Sequence, residues 1–337
     1  MSELIAVGPD RAELFVEGSI ERLAGLAPGT DHSVRDVRFR TLDDIGEILS
    51  SVVTMNDVHF GEIECGKIDG VSTAAFVVAD GDRPYPEIMN ESVIADARAA
   101  DPDAVIVKGD LTSFGTLDEF EMFRSFYEPA FGERLTYVRG NHDSFPGQRF
   151  ADWPVQVVDV SGLRVILIDT SRAAMTGGSV SGDQLGAVEE AARTSTTTVI
   201  VMGHHPLYVP GRDRELRFDG INIEDSLGLI GVLAGLENVV AYSAGHTHRC
   251  RKVDLGGLAV IEVACVKDFP GAWAEHLVGE RGIAHLVHRA SSPEAVAWAE
   301  TTRSMFDGYY GTYAMGLLED RCFVLPLERL APVRLGA

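Results

Sequence analysis

Five times along this chain a short apolar run ends, within a few residues, in a cluster of side chains able to bind a metal ion. The runs cover 51–55, 104–107, 135–138, 197–202 and 239–243. The clusters are Asp57-Val58-His59, Gly109-Asp110, Gly140-Asn141-His142-Asp143, Gly203-His204-His205-Pro206 and Gly245-His246-Thr247-His248. Runs this short and rich in β-branched residues read as buried strands. Segments 87–100, 117–127 and 181–193 read as helices. Strand alternating with helix specifies an α/β body. In open α/β sheets the loops at the carboxyl ends of the strands converge on one edge, so five separate clusters read as one site.

The residue types in those loops suit a metal pair. Asp57 and His59 are two apart, so an extended backbone turns both to one side. Asp110 follows a glycine that lets the chain turn sharply, and its two oxygens allow it to bridge two ions. Asn141 offers a neutral carbonyl oxygen, and His204, His246 and His248 offer imidazole nitrogens. Two divalent ions against the charges of Asp57 and Asp110 leave about +2, enough to draw in a phosphate ester. Paired ions also polarise a phosphoryl oxygen and acidify bound water, and the hydroxide they generate is the expected nucleophile. Mixed oxygen and nitrogen ligation suits Mn, Fe or Zn better than Ca.

His142 is the candidate to stabilise or protonate the leaving oxygen, histidine being the side-chain type suited to acid–base work at neutral pH, with Asp143 either orienting it or capping the next segment. Arg249 is a candidate contact for substrate phosphate. The stretch from Lys267 to Trp273 is a candidate lining for a specificity pocket. His205 is expected to point away from His204 and to pack or hydrogen-bond. His32, His276, His285 and His288 are expected on ordinary surfaces or strands.

A formal net charge of −22 repels polyphosphate backbones and anionic lipid, which argues against nucleic-acid duplexes and membranes as partners and for a small-molecule phosphoester. The four cysteines are scattered, without a Cys-x-x-Cys pair, so free thiols in a cytoplasmic protein are expected. The N-terminus lacks a basic region followed by an apolar core, and no apolar run reaches membrane-spanning length. The oligomeric state stays open, a homodimer being one option. Residues 1–44 read as a small β-rich appendage that faintly resembles the latter half of a fibronectin type III module. Residues 45–337 read as the main domain, with a C-terminal extension from about residue 264.

Taken together and in order, the five clusters resemble the calcineurin-like metallophosphoesterase superfamily over roughly residues 52–263. Within it the pattern is most similar to class III cyclic nucleotide phosphodiesterases, although Arg139 stands where relatives frequently have proline. The resemblance implies a four-layer α-β-β-α sandwich with two mixed β-sheets. It also implies that Asp57, His59, Asp110 and His248 hold one ion, and Asp110, Asn141, His204 and His246 the other. The activity it implies is phosphodiester hydrolysis, of a cyclic nucleotide among other esters. Alternatives are a phosphomonoesterase and a non-catalytic metal-binding scaffold.

Overall fold

Each of the five apolar runs is a strand, buried on both faces except at 135–138, where only Val138 is fully buried. The computed structural model describes residues 2–67, 72–144, 150–213 and 219–329. The chain begins with a three-stranded antiparallel sheet, β1 (Ser2–Val7), β2 (Arg11–Val16) and β3 (Ser19–Ala24), and a hairpin of β4 (Asp31–Val34) and β5 (Val37–Arg40). The body starts with β6 (Ile48–Met55) and a small ribbon of β7 (Glu64–Cys65) and β8 (Phe76–Val77). There follow α1 (Tyr85–Ala100), β9 (Ala104–Lys108), α2 (Leu117–Phe131) and β10 (Leu135–Val138). The second half runs through β11 (Val155–Val160), β12 (Leu163–Ile168), α3 (Gly182–Arg193), β13 (Thr198–Gly203), α4 (Ile223–Ala234) and β14 (Val239–Ala244). A hairpin, β15 (Arg251–Leu255) and β16 (Leu258–Glu262), leads to β17 (Ala272–Gly279) and β18 (Ile283–Arg289). Three helices, α5 (Pro293–Thr302), α6 (Tyr309–Met315) and α7 (Leu318–Arg321), precede β19 (Cys322–Leu325).

The strands assemble into two six-stranded mixed sheets, ordered β10-β9-β6-β17-β18-β19 and β11-β12-β13-β14-β16-β15. Side chains alternate across each strand, and both faces are apolar because both are covered. Val52, Ala104 and Ile106 meet Val165, Ile200 and Met202 between the sheets. Val53, Met55, Val105 and Val107 face Met89, Val93, Phe123, Tyr127 and Ala295 on α1, α2 and α5. Ile166, Ile168, Val199 and Val201 face Val188, Leu229 and Leu233 on α3 and α4. Helix, sheet, sheet and helix are therefore stacked in four layers. Helix starts follow local chemistry: Thr116 and Ser181 close capping boxes with Glu119 and Gln184.

The segment read as an extension is central. β17 pairs antiparallel with β6 from Ala274–Thr54 to Gly279–Ile48, so it occupies the middle of the first sheet, and β18 and β19 continue that sheet outward. Residues 330–337 lie outside the described residues. The N-terminal strands dock on the same sheet: Ala6, Val7 and Ala12 pack with Leu277, Ala284 and Leu286. Buried charge joins the two layers as well. His288 stacks on Trp273 at 4.2 Å, with Nδ1 3.1 Å from Glu13 and Nε2 3.5 Å from Glu275. Its neighbours His276 and His285 are also fully buried, ring to ring across β17 and β18, where surface positions had been one expectation. No described helix is long and apolar enough to cross a membrane.

Candidate metal centre

The carboxyl ends of β6, β9 and β10 in one sheet and of β13 and β14 in the other meet at one edge of the sandwich. Their loops bend abruptly there. Asp57, His59, Asp110, His246 and His248 all have φ between 47° and 69°, a left-handed conformation that costs non-glycine residues of order 1 kcal/mol or more each and clusters at functional sites. The glycines beside them permit close approach. A Cβ on Gly140 would lie 2.2 Å from Asp110 Oδ1, and one on Gly245 would lie 2.7 Å from Asp57 Oδ2.

All seven sequence-nominated ligands converge. His248 Nε2 is 3.3 Å from Asp57 Oδ1, and His59 Nε2 is 3.5 Å from Asp110 Oδ2. On the other side of Asp110, the same Oδ2 is 3.2 Å from His204 Nε2. Asn141 Oδ1 lies 3.1 Å from His204 Nε2 and 3.0 Å from His246 Nδ1. Two donor sets thus share Asp110. Their chemistry fits cations: Asp57 Oδ1 and both ring nitrogens of His59 are buried without a hydrogen-bond partner, a condition rare in folded proteins unless something else satisfies the atoms.

The electrostatics point the same way. Burial works against charge on Asp57 and Asp110, but His248 beside the first and His204 and His142 beside the second outweigh it and hold both carboxyls well below the usual range. Burial also opposes charge on His204 and His248, yet Asp110 lifts His204 to about 9 and Asp57 lifts His248. His59 and His246 are pushed down, His246 to about 4, by burial and by their cationic neighbours.

Around this core, supporting groups fix the loops. Asn56 donates to Asp57 Oδ2 at 2.6 Å, and His204 Nδ1 donates to the Lys108 carbonyl at 2.9 Å. The Lys108 ammonium lies between the sheets, bonded to Ser243 Oγ and the Ala244 carbonyl, and burial lowers its pKa to about 7. His142 is half-buried, its ring 4.7 Å from that of His59 and its Nδ1 2.7 Å from the Ser113 carbonyl. Asp143 serves the backbone: its carboxylate accepts from the amides of Leu111, Thr112 and Gly140 and from Thr112 Oγ1. That geometry stands in place of both expected roles, orienting His142 or capping the next segment. It locks the Gly140 loop against the Asp110 loop.

Other expectations change. The Arg249 guanidinium is engaged in a fork with Glu262, at 2.8 and 3.1 Å, and lies over the Tyr313 ring, so a substrate phosphate would have to displace a carboxylate. Trp273 is buried, stacked on His288. Lys267 and Asp268 are buried behind His59 and His248 instead. His205 bonds Thr170 Oγ1 through Nδ1 and the Thr176 carbonyl through Nε2, the hydrogen-bonding role expected of it, but it does not point away: its ring lies 4.8 Å from that of His204 and 4.7 Å from that of His246. Sequence reasoning missed Glu62, whose Oε2 is 3.2 Å from His59 Nδ1; the available signal was an acid three residues beyond a candidate ligand histidine.

The model of the calcineurin-like phosphoesterase family matches residues 51–250, more than half of the chain and all five ligand loops. This chain belongs to that family. Among curated members, a "Probable cyclic nucleotide phosphodiesterase" from Rhodococcus erythropolis is 31% identical over 186 residues, 52% of this chain and 60% of that protein. A 3',5'-cyclic adenosine monophosphate phosphodiesterase from Pseudomonas aeruginosa is 29% identical over 178 residues, 50% of this chain and 64% of its own length. The chain thus spans about three fifths of these relatives. A solved dimetal phosphatase from Danio rerio superposes with a TM-score of 0.56 at 14% identity, covering 73% of this chain and all of that one. It shares the fold.

Proposed function

We propose that the chain is a dinuclear metal-dependent phosphodiesterase acting on a small diester, with cyclic nucleotides as the first candidates. The observation that carries this reading is the shared carboxylate: Asp110 Oδ2 lies 3.5 Å from His59 Nε2 and 3.2 Å from His204 Nε2, so one side chain borders two complete donor sets. Asp57, His59, Asp110 and His248 would hold one ion, and Asp110, Asn141, His204 and His246 the other. When bound, Mn, Fe or Zn ions supply charge neutralisation of the phosphoryl oxygens and an acidified water.

The protein's own residues do the rest. The left-handed turns hold the ligands in place before substrate arrives, so little reorganisation is left for the reaction. Asn141 contributes an oxygen without adding negative charge that would repel a phosphate. His142, with Nδ1–H given to the Ser113 carbonyl, presents Nε2 for protonating the leaving oxygen. Asp143 keeps His142 in reach by holding its loop.

The similarity to cyclic nucleotide phosphodiesterases supports a diester over a monoester. The test is a comparison of purified protein with Mn2+ on cyclic AMP, bis-(p-nitrophenyl) phosphate and p-nitrophenyl phosphate. Turnover of the diesters with little on the monoester is the expected result, and a clear monoester preference would overturn the proposal.

A further inference from the structure

We propose that Glu62 is a positioning residue that fixes the His59 ring for its ion, that Lys267 anchors Glu62, and that the two metal sites are inequivalent as a result. The inference rests on the dinuclear reading above. Glu62 lies beyond the end of β6, its amide donating to the His59 carbonyl, and is nearly fully buried. Its Oε2 sits 3.2 Å from His59 Nδ1, a short contact not aligned as a hydrogen bond, while Nε2 on the far side of the ring faces Asp110 at 3.5 Å. The other oxygen, Oε1, accepts from Tyr85 Oη at 2.6 Å and from Lys267 Nζ at 2.5 Å. Three distant stretches of chain therefore meet on one carboxylate.

Lys267 also reaches Asp268 Oδ2 at 3.4 Å. Asp268 is held by Cys265 Sγ at 2.9 Å and Tyr310 Oη at 2.6 Å, and comes within 4.8 Å of a ligating nitrogen of His248. In this half one carboxylate thus stands against His59, a second lies near His248, and one ammonium sits between the two carboxylates. In the other half, His204 is backed by a main-chain carbonyl. A carboxylate against a ligand histidine orients the ring and raises its basicity. A buried lysine–glutamate pair has no general advantage over apolar packing, so its placement directly behind a ligand is the informative fact.

The experiment is titration of Mn2+ into metal-free full-length protein, followed by calorimetry and elemental analysis, for wild type, Glu62→Gln and the double variant Glu62→Gln/Lys267→Met. The double variant removes the Glu62–Lys267 pair as a unit, while Asp268 keeps Cys265 and Tyr310 as hydrogen-bond partners. Wild type is expected to take up two ions, and both variants to lose about 10–100-fold in affinity for one of them while keeping the other. Wild-type affinities in the variants, equal weakening of both ions, or failure of the double variant to fold would each overturn the inference. Fewer than two ions bound by wild type would instead overturn the dinuclear reading, a result visible before any substitution.

Discussion

Adding one methyl group at Gly140 is expected to disable the centre without substituting any of the candidate ligands. A Cβ there would lie 2.2 Å from Asp110 Oδ1 and 2.5 Å from the Asp110 amide nitrogen. Non-bonded Cβ contacts are essentially never under 3.0 Å, so the shared carboxylate must retreat by at least about 0.8 Å. The crowding involves backbone as well as side chain, so a rotamer change cannot relieve it. The Gly140 amide also donates to Asp143 Oδ2 at 2.8 Å, which ties the two loops together and limits how far they can separate. Displacement near 1 Å costs about 100-fold in rate, and overpacking costs about 1–3 kcal/mol of stability. Gly140→Ala should therefore lose about 100-fold or more in kcat/KM on bis-(p-nitrophenyl) phosphate even at saturating Mn2+, with fewer than two ions retained by elemental analysis. Gly182→Ala, where a Cβ meets nothing within 4 Å, is the control and should behave as wild type. A Gly140→Ala protein with two ions and a rate near wild type would refute the close-approach reasoning.

Two other outcomes follow from the geometry. His142→Ala should lower kcat by about 100-fold or more while leaving the metal content unchanged; retention of the full rate would remove His142 from the mechanism. His288 is buried, which opposes its charge, but Glu13 and Glu275 raise its pKa to about 9. A histidine raised above its ordinary value near 6.5 stabilises the fold fully below that value and loses the contribution as pH rises through about 9. Thermal stability should therefore fall between those pH values in wild type, and the fall should be absent in His288→Gln; identical pH profiles would refute the assignment.

The seven candidate ligands were legible because each signal is local. A β-branched run shows a buried strand, and a polar cluster directly after it has no packing use there. The helices at 87–100, 117–127 and 181–193 appear as α1, α2 and α3, with ends shifted by up to four residues. Turn chemistry and side-chain period extend over a few residues, so they survive in a linear reading.

Strand partners do not. β17 resembles any other apolar strand in sequence, yet it pairs with β6 more than 200 residues earlier, because pairing is set by which faces remain uncovered when the layers close. That misplacement turned a central segment into an apparent extension. The same limit hid Glu62 behind His59, since its anchor Lys267 is 205 residues away. It also separated Asp143 from its expected partner: the carboxylate meets unsatisfied amides at 111, 112 and 140 that exist only once β9 and β10 lie side by side. The sequence alone determined which side chains are available for metal chemistry and that they stand at strand ends. Tertiary structure decided which carboxylate backs which histidine, because desolvated charges choose partners by proximity in space, and that proximity is fixed only when distant strands share a sheet.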